Sequence, residues 1–245
     1  MVVMRRRWWL AGTAVVAAVA APIVGGCETV EEGIAALAVG FETMSRAKLD
    51  DALRILHAAA SGPDEDGSIH FHLARTYEAL GVLHGNAGAT PEAVHALEEG
   101  VRAARVAIDR RGDSSPYHTQ LGFLYGELAA QSGVVGRVRY GRAAAASFTK
   151  ALELDPKNPL AHVGNGIGKL ETPPMFGGSA TAALEEFRAA QALDASCSEA
   201  WIWEGIAQRR MGATADARRA FDRALAVSPQ NAHARRELAL LDEDL

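Results

Sequence analysis

One pattern that returns along the chain constrains its fold more than any other feature. Residues 198–231 carry Trp201, Gly205, Ala217, Phe221, Ala224 and Pro229 at positions 4, 8, 20, 24, 27 and 32 of a 34-residue unit. Earlier segments repeat the same order of residue sizes. Residues 159–197 have Gly166, Ala183, Phe187 and Ala190, with Ala195 in the proline position. Residues 115–158 have Leu121, Gly122, Tyr125, Ala144, Phe148, Ala151 and Pro156. Residues 67–114 have Leu73, Ala74, Tyr77, Ala93 and Leu97, and residues 33–66 have Gly40, Ala52, Leu56 and Ala59. Small residues at positions 8, 20 and 27 let two helices approach closely, and a large one at position 24 fills the gap between them. The proline ends the second helix. Abundant alanine and few β-branched residues after the first thirty positions also favour helix, since alanine loses no side-chain entropy there.

The spacing resembles the tetratricopeptide repeat. That resemblance implies an all-α fold, a right-handed α-solenoid of about five helix-turn-helix repeats. The polar-sided stretch 232–245 is then the capping helix that a stacked array needs. Three units carry extra residues between positions 8 and 20: about 7 near Gly85–Thr90, about 10 near Gln131–Tyr140 and about 5 around Pro173–Gly178. These are expected as inter-helix loops on one edge of the stack. The segments 132–137 and 173–178 resemble loops of bacterial envelope tetratricopeptide lipoproteins. The second is also similar to T-component lipoproteins that accompany tripartite substrate-binding (TRAP) transporters.

The N-terminus reads as an address. Arg5, Arg6 and Arg7 precede an apolar stretch from Trp8 to Ile23, and Val24-Gly25-Gly26-Cys27 follows. Small residues before a cut suit a signal peptidase. This ending resembles a bacterial lipobox, which makes 1–26 a signal peptide, Cys27 the lipidated first residue and 27–32 a tether. The paired arginines before Trp8 also resemble a twin-arginine signal. Two other readings are a plain cleavage site followed by an ordinary cysteine, and residues 8–26 retained as an anchor. Lipidation would place the chain on the extracytoplasmic, periplasmic side of a membrane.

Charge narrows the partners. The net charge of −5 includes the three leader arginines, so the chain without them stands at −8. Nucleic acid is not expected, because phosphate binding needs clustered cations. Two cysteines, Cys27 and Cys197, are too few for a disulfide framework. Neither a nucleophile elbow, a Walker loop nor a His-Glu-x-x-His zinc motif occurs. His70, His118 and His162 share repeat position 4 with Trp201, which suggests packing rather than metal ligation. Gly164–Gly168 lies within a first helix and lacks the strand that a phosphate loop follows. Glu98-Glu99 and Glu185-Glu186 read as solvated helix faces. No catalytic residue, metal or cofactor is expected; an enzyme using an unrecognised histidine site is the remotest reading.

The resemblance also implies which residues line the concave groove: Phe71, Arg75 and Glu78; Thr119, Phe123 and Glu127; Val163, Ile167 and Leu170; Ile202, Ile206, Arg209 and Arg210. Several are large and apolar, and exposed contiguous apolar area marks binding sites. The alternative is that loops or the capping helix cover this face and make these residues core. The expected function is recognition of a partner-protein or peptide segment in the cell envelope, with membrane attachment through lipid on Cys27. The second reading is an accessory solute-binding protein, whose groove holds a small apolar acid against Arg209 or Arg210 beneath a roof of Val134, Val135, Met175 and Phe176.

Overall fold

The computed structural model describes residues 28–243. Cys27 and the leader lie outside them. The described residues form eleven α-helices: α1 Val30–Thr43, α2 Arg46–Ala60, α3 Ser68–Asn86, α4 Thr90–Arg110, α5 Ser115–Ala130, α6 Val134–Leu154, α7 Pro159–Glu171, α8 Ala180–Leu193, α9 Ser198–Arg210, α10 Thr214–Val227 and α11 Ala232–Glu243. Consecutive helices pair as antiparallel units: α1 with α2, α3 with α4, and so on to α9 with α10. The odd-numbered helices each touch the next odd-numbered one and form the inner layer, while the even-numbered helices pack outside. No described helix is long and apolar enough to cross a membrane.

Local signals set the helix starts. Thr29 and Glu32 close a reciprocal capping box on α1. Asn158 and Ser179 accept from backbone N–H groups of α7 and α8. Pro91, Pro116 and Pro159 stand in first turns, where a missing N–H costs nothing. Gly88 and Gly212 take left-handed φ of 75° and 78° in the turns after α3 and α9, a conformation that a side chain resists.

Within each unit, glycine meets a large side chain. A methyl on Gly166 would sit 2.5 Å from the Phe187 ring, and one on Gly122 2.6 Å from Phe148. Gly205 stands in the same relation to Phe221. Gly164 approaches Phe148 from the following unit, so that ring is gripped from both sides. In the first two units aliphatic residues take the aromatic's place: Gly81 meets Leu97, Gly33 meets Ile55 and Leu56, and Gly40 meets Leu49.

Position 4 has a further role. His118 Nε2 lies 2.9 Å from the Gly112 carbonyl, His162 Nε2 3.1 Å from Pro156 O, and Trp201 Nε1 3.1 Å from Ala195 O. Arg235 donates in the same way to Pro229 O at 2.6 Å, and His70 Nδ1 meets the Asp64 carboxylate, also six residues back. A carbonyl only accepts, so each ring nitrogen facing one carries its proton. These side chains therefore pin the turn that leads into their own unit, a more specific task than packing. Units three and four are joined by a buried network: Asn158 Nδ2 donates to Ser115 Oγ (2.8 Å) and Thr119 Oγ1 (2.9 Å).

The expected inter-helix loops are mostly absent. The first two insertions lengthen helices instead, giving α4 and α6 21 residues each. Each added residue in a helix satisfies its own backbone groups, whereas a long loop must find partners for them. Residues 134–137 are thus the first turn of α6. Only the third insertion forms a separate feature, a 3-10 turn at Pro174–Phe176.

Candidate functional site

The inner layer lines the concave side of the solenoid, its bore, with aromatic and charged side chains. On α3 the Arg75 guanidinium lies over two rings, Phe41 at 5.8 Å and Phe71 at 5.9 Å. Phe71 in turn stacks on Tyr117 of α5, with ring centres 4.9 Å apart. Such contacts orient the cation while leaving its N–H donors for another group. One turn further along α3, Glu78 accepts from Gln120 Nε2 of α5 at 2.7 Å. Phe123 packs edge-on against Phe148 at 5.2 Å. Glu127 faces the same space, and its carboxylate takes no hydrogen bond among the described residues.

Partial burial on this face shifts its charged groups. Burial pushes the Glu78 carboxyl up to about 7; Gln120 and Arg75 oppose the shift, and Glu199 of α9 adds to it. Burial likewise pushes Glu127 up to about 7, reinforced by the charges of Glu78 and of Glu171 on α7. Burial lowers Arg75, while Glu78 and Glu199 act to hold its proton. A carboxylate on an open trough would stay well hydrated and keep its ordinary affinity for protons. Here the neighbouring helices remove part of that water, and both carboxylates stay partly exposed. Burial also takes His72 down to about 4, so it is neutral near pH 7.

A solved structure of low sequence identity shares this architecture. A tetratricopeptide-repeat protein of Thermus thermophilus, TTC0263, superposes with a TM-score of 0.65 at 18% identity, covering 86% of this chain and 99% of that one. The fold is that of a tetratricopeptide-repeat solenoid. Cut9, in the hetero-tetramer Cut9–Hcn1 of the APC/C, aligns over 87% of this chain and 37% of its own at 16% identity, with a TM-score of 0.49. YrrB, described as a TPR protein with an unusual peptide-binding site, aligns over 88% of this chain and 93% of its own at 18% identity and a TM-score of 0.39. No protein-family profile and no curated protein matches the chain.

The repeat geometry sorts the expected groove residues into two groups. Phe71, Arg75, Phe123 and Ile167 are half-buried on the inner layer, as the repeat offsets imply. Val163, Ile202 and Ile206 are core instead, with exposures of 0%, 1% and 5%. Val163 joins the apolar cluster of Phe187, Leu184 and Cys197. Ile202 and Ile206 are sealed by Phe221 and by Leu241 of the capping helix α11. A partner has no access to side chains closed in this way. Arg209 pairs with Glu237 of α11 at 2.9 Å, and Arg210 pairs with Glu171 at 2.6 Å. Both arginines are thus engaged within the chain.

The expected roof is missing as well. Val134, Val135, Met175 and Phe176 are 81%, 85%, 83% and 73% exposed, pointing outward along the edge. Glu186 departs from the expected solvated face: it accepts from His162 Nδ1 (2.7 Å), Asn165 Nδ2 (2.8 Å) and Lys169 Nζ (2.6 Å). The described residues hold no group of three or more His, Cys, Asp or Glu able to bind a metal. Gly164–Gly168 lies inside α7, and Cys197 is a buried thiol that burial pushes up to about 12. Sequence reasoning passed over Glu171 and Glu199, although both occupy the repeat offsets used for the other groove positions. It also missed Tyr117 and Gln120, whose offsets face the neighbouring first helix.

Proposed function

We propose that this chain is a non-catalytic scaffold that holds an extended segment of a partner protein in the bore of its solenoid. The observation that carries this reading is the convergence of Phe71, Arg75, Glu78, Phe123 and Glu127 from two neighbouring inner helices. Rings offer apolar contact, while carboxylates and a guanidinium offer directional bonds to a peptide. Glu199 of α9 acts electrostatically on Arg75 and Glu78 of α3, so an extended segment lying along the bore would meet charges from several inner helices. Glu171 is already paired with Arg210, and Glu78, Glu127 and Glu199 still outnumber Arg75, which favours a segment that carries lysine or arginine.

The lipobox-like ending at Cys27 supports the second half of the proposal. The scaffold is exported and tethered by lipid in the cell envelope, where attachment raises its effective concentration near other membrane components. Cys27→Ser is expected to move the chain from the membrane fraction to the soluble one. For the bore, the full-length processed chain is used to capture partners from detergent-solubilised membranes, beside an Arg75→Ala/Glu127→Ala variant shown by circular dichroism to be equally helical. A protein retained by the native chain and reduced about tenfold by the variant supports the reading, about 1.4 kcal/mol of binding. Equal retention by both chains overturns it.

A further inference from the structure

In a stacked array each unit needs to touch only its neighbours. Here the two ends also meet. Ser228, in the turn before α11, donates to Glu42 Oε1 near the end of α1 at 2.7 Å. Arg236 on α11 donates to Asn86 Oδ1 at the end of α3 at 2.8 Å. These bonds join residues 186 and 150 positions apart, so the repeat itself does not dictate them. They link the turn before α11 to the end of α1, and α11 itself to the end of α3.

The two sides of α11 are held very differently. Toward its own unit it is anchored by Leu241 in the cluster of Ile202, Ile206 and Phe221, by the Glu237–Arg209 pair, and by His233 edge-on to Trp203 at 6.1 Å. Toward α1 and α3 the side-chain bonds are the two polar ones, of which the Arg236 bond is exposed. Exposed polar bonds exchange with water at little net gain. Such a seam is held less firmly than the apolar cap on α9 and α10, the condition under which local opening begins.

We propose that the seam of Ser228 and Arg236 against Glu42 and Asn86 is a clasp, which parts to admit a ligand to the bore and closes again behind it. The purpose of the clasp rests on the bore being the partner site; its opening is a property of the free chain and is measured without any partner. Arg75, Glu78 and Phe123 all lie inside the loop that the clasp completes, so access to them follows the state of the seam.

The test uses the full chain with Cys27→Ser, where buried Cys197 is not expected to label. Phe123→Cys reports on the bore through its rate of reaction with a small maleimide, and Glu127→Cys serves as a second reporter if the first chain is less helical. An opened version adds Glu42→Ala and Arg236→Ala, which leave Ser228 and Asn86 with no partner across the seam. A closed version adds Asn86→Cys and Arg236→Cys, joined by a short bismaleimide before the reporter is unmasked in refolded protein. The clasp predicts labelling about tenfold faster in the opened chain and about tenfold slower in the joined one, with unchanged helicity. A pair of nitroxides at Lys48 and Gln230 is expected to give a broader, longer distance distribution on opening. Equal labelling in all three chains overturns the clasp. Failure to capture a partner leaves these rates unchanged and counts against the proposed function alone.

Discussion

The last three units and the first two solve the same packing problem with different residues. Phe148, Phe187 and Phe221 each fill a hollow left by glycine, whereas Leu56 and Leu97 do so in the first two units. A ring is flat and rigid, so it fixes the separation and angle of the helices around it more narrowly than a leucine can. Where phenylalanine recurs, the repeat stands out in the sequence. Helix length does not follow this division: α6, which carries Phe148, runs to 21 residues, as does α4, which carries Leu97. The large residue therefore sets the contact within each unit, and the insertions set the length of its helices.

Truncation tests that contrast most strongly. Phe221→Ala and Leu97→Ala both empty fully buried positions. The expected losses are about 3–5 kcal/mol for the ring and about 2–4 kcal/mol for the leucine. Chemical denaturation followed by circular dichroism measures both. Equal losses would mean that the ring adds nothing beyond its volume. A smaller effect is expected at the junction of units three and four. Asn158→Ala removes the buried amide that joins Ser115 and Thr119, at a cost of about 2 kcal/mol. Hydrogen exchange should show the loss concentrated in α5 and α7 rather than spread to α1.

The smallest expected change concerns the bore and depends on pH. Glu127 titrates at about 7 in the folded chain against 4.5 in the reference state, so folding raises its affinity for protons. A raised group contributes stability that is fully present below the unfolded value and lost as pH rises through the folded one. Glutamine mimics the protonated form. Glu127→Gln is therefore expected to match the native chain near pH 4.5 and to exceed it by about 1–2 kcal/mol near pH 8, a rise of about 4 °C in melting temperature. Comparing the two chains at each pH cancels His72, whose lowered value acts in the opposite sense between about 4 and 6.5. No difference at either pH would indicate that water fills the bore freely.

The fold was legible because small and large residues recur at fixed offsets, and because Pro156 and Pro229 punctuate the units. Half-buried placement on the inner layer was legible for the same reason, and Phe71, Arg75, Phe123 and Ile167 follow it from the repeat offsets. Val163, Ile202 and Ile206 did not, because helical periodicity shows that a face is apolar and leaves open what covers it. For Ile202 and Ile206 the cover is Leu241, contributed by a helix outside the repeat pattern. The insertions read as loops since Val134–Gly136 contains turn-prone glycine, while backbone satisfaction favoured extending α6. Contact between Glu42 and Ser228 was beyond reach from sequence, because closure accumulates from small rotations at every unit interface.

The most direct test of the central claim is site-specific photo-crosslinking in cells producing the full chain, with a benzophenone amino acid at position 123 in the bore or at position 135 on the exposed edge. The account predicts a discrete partner adduct from position 123 that disappears with Arg75→Ala, and no such adduct from position 135. An adduct from position 135 with none from position 123 would contradict it, placing the working surface of this solenoid on its outer edge.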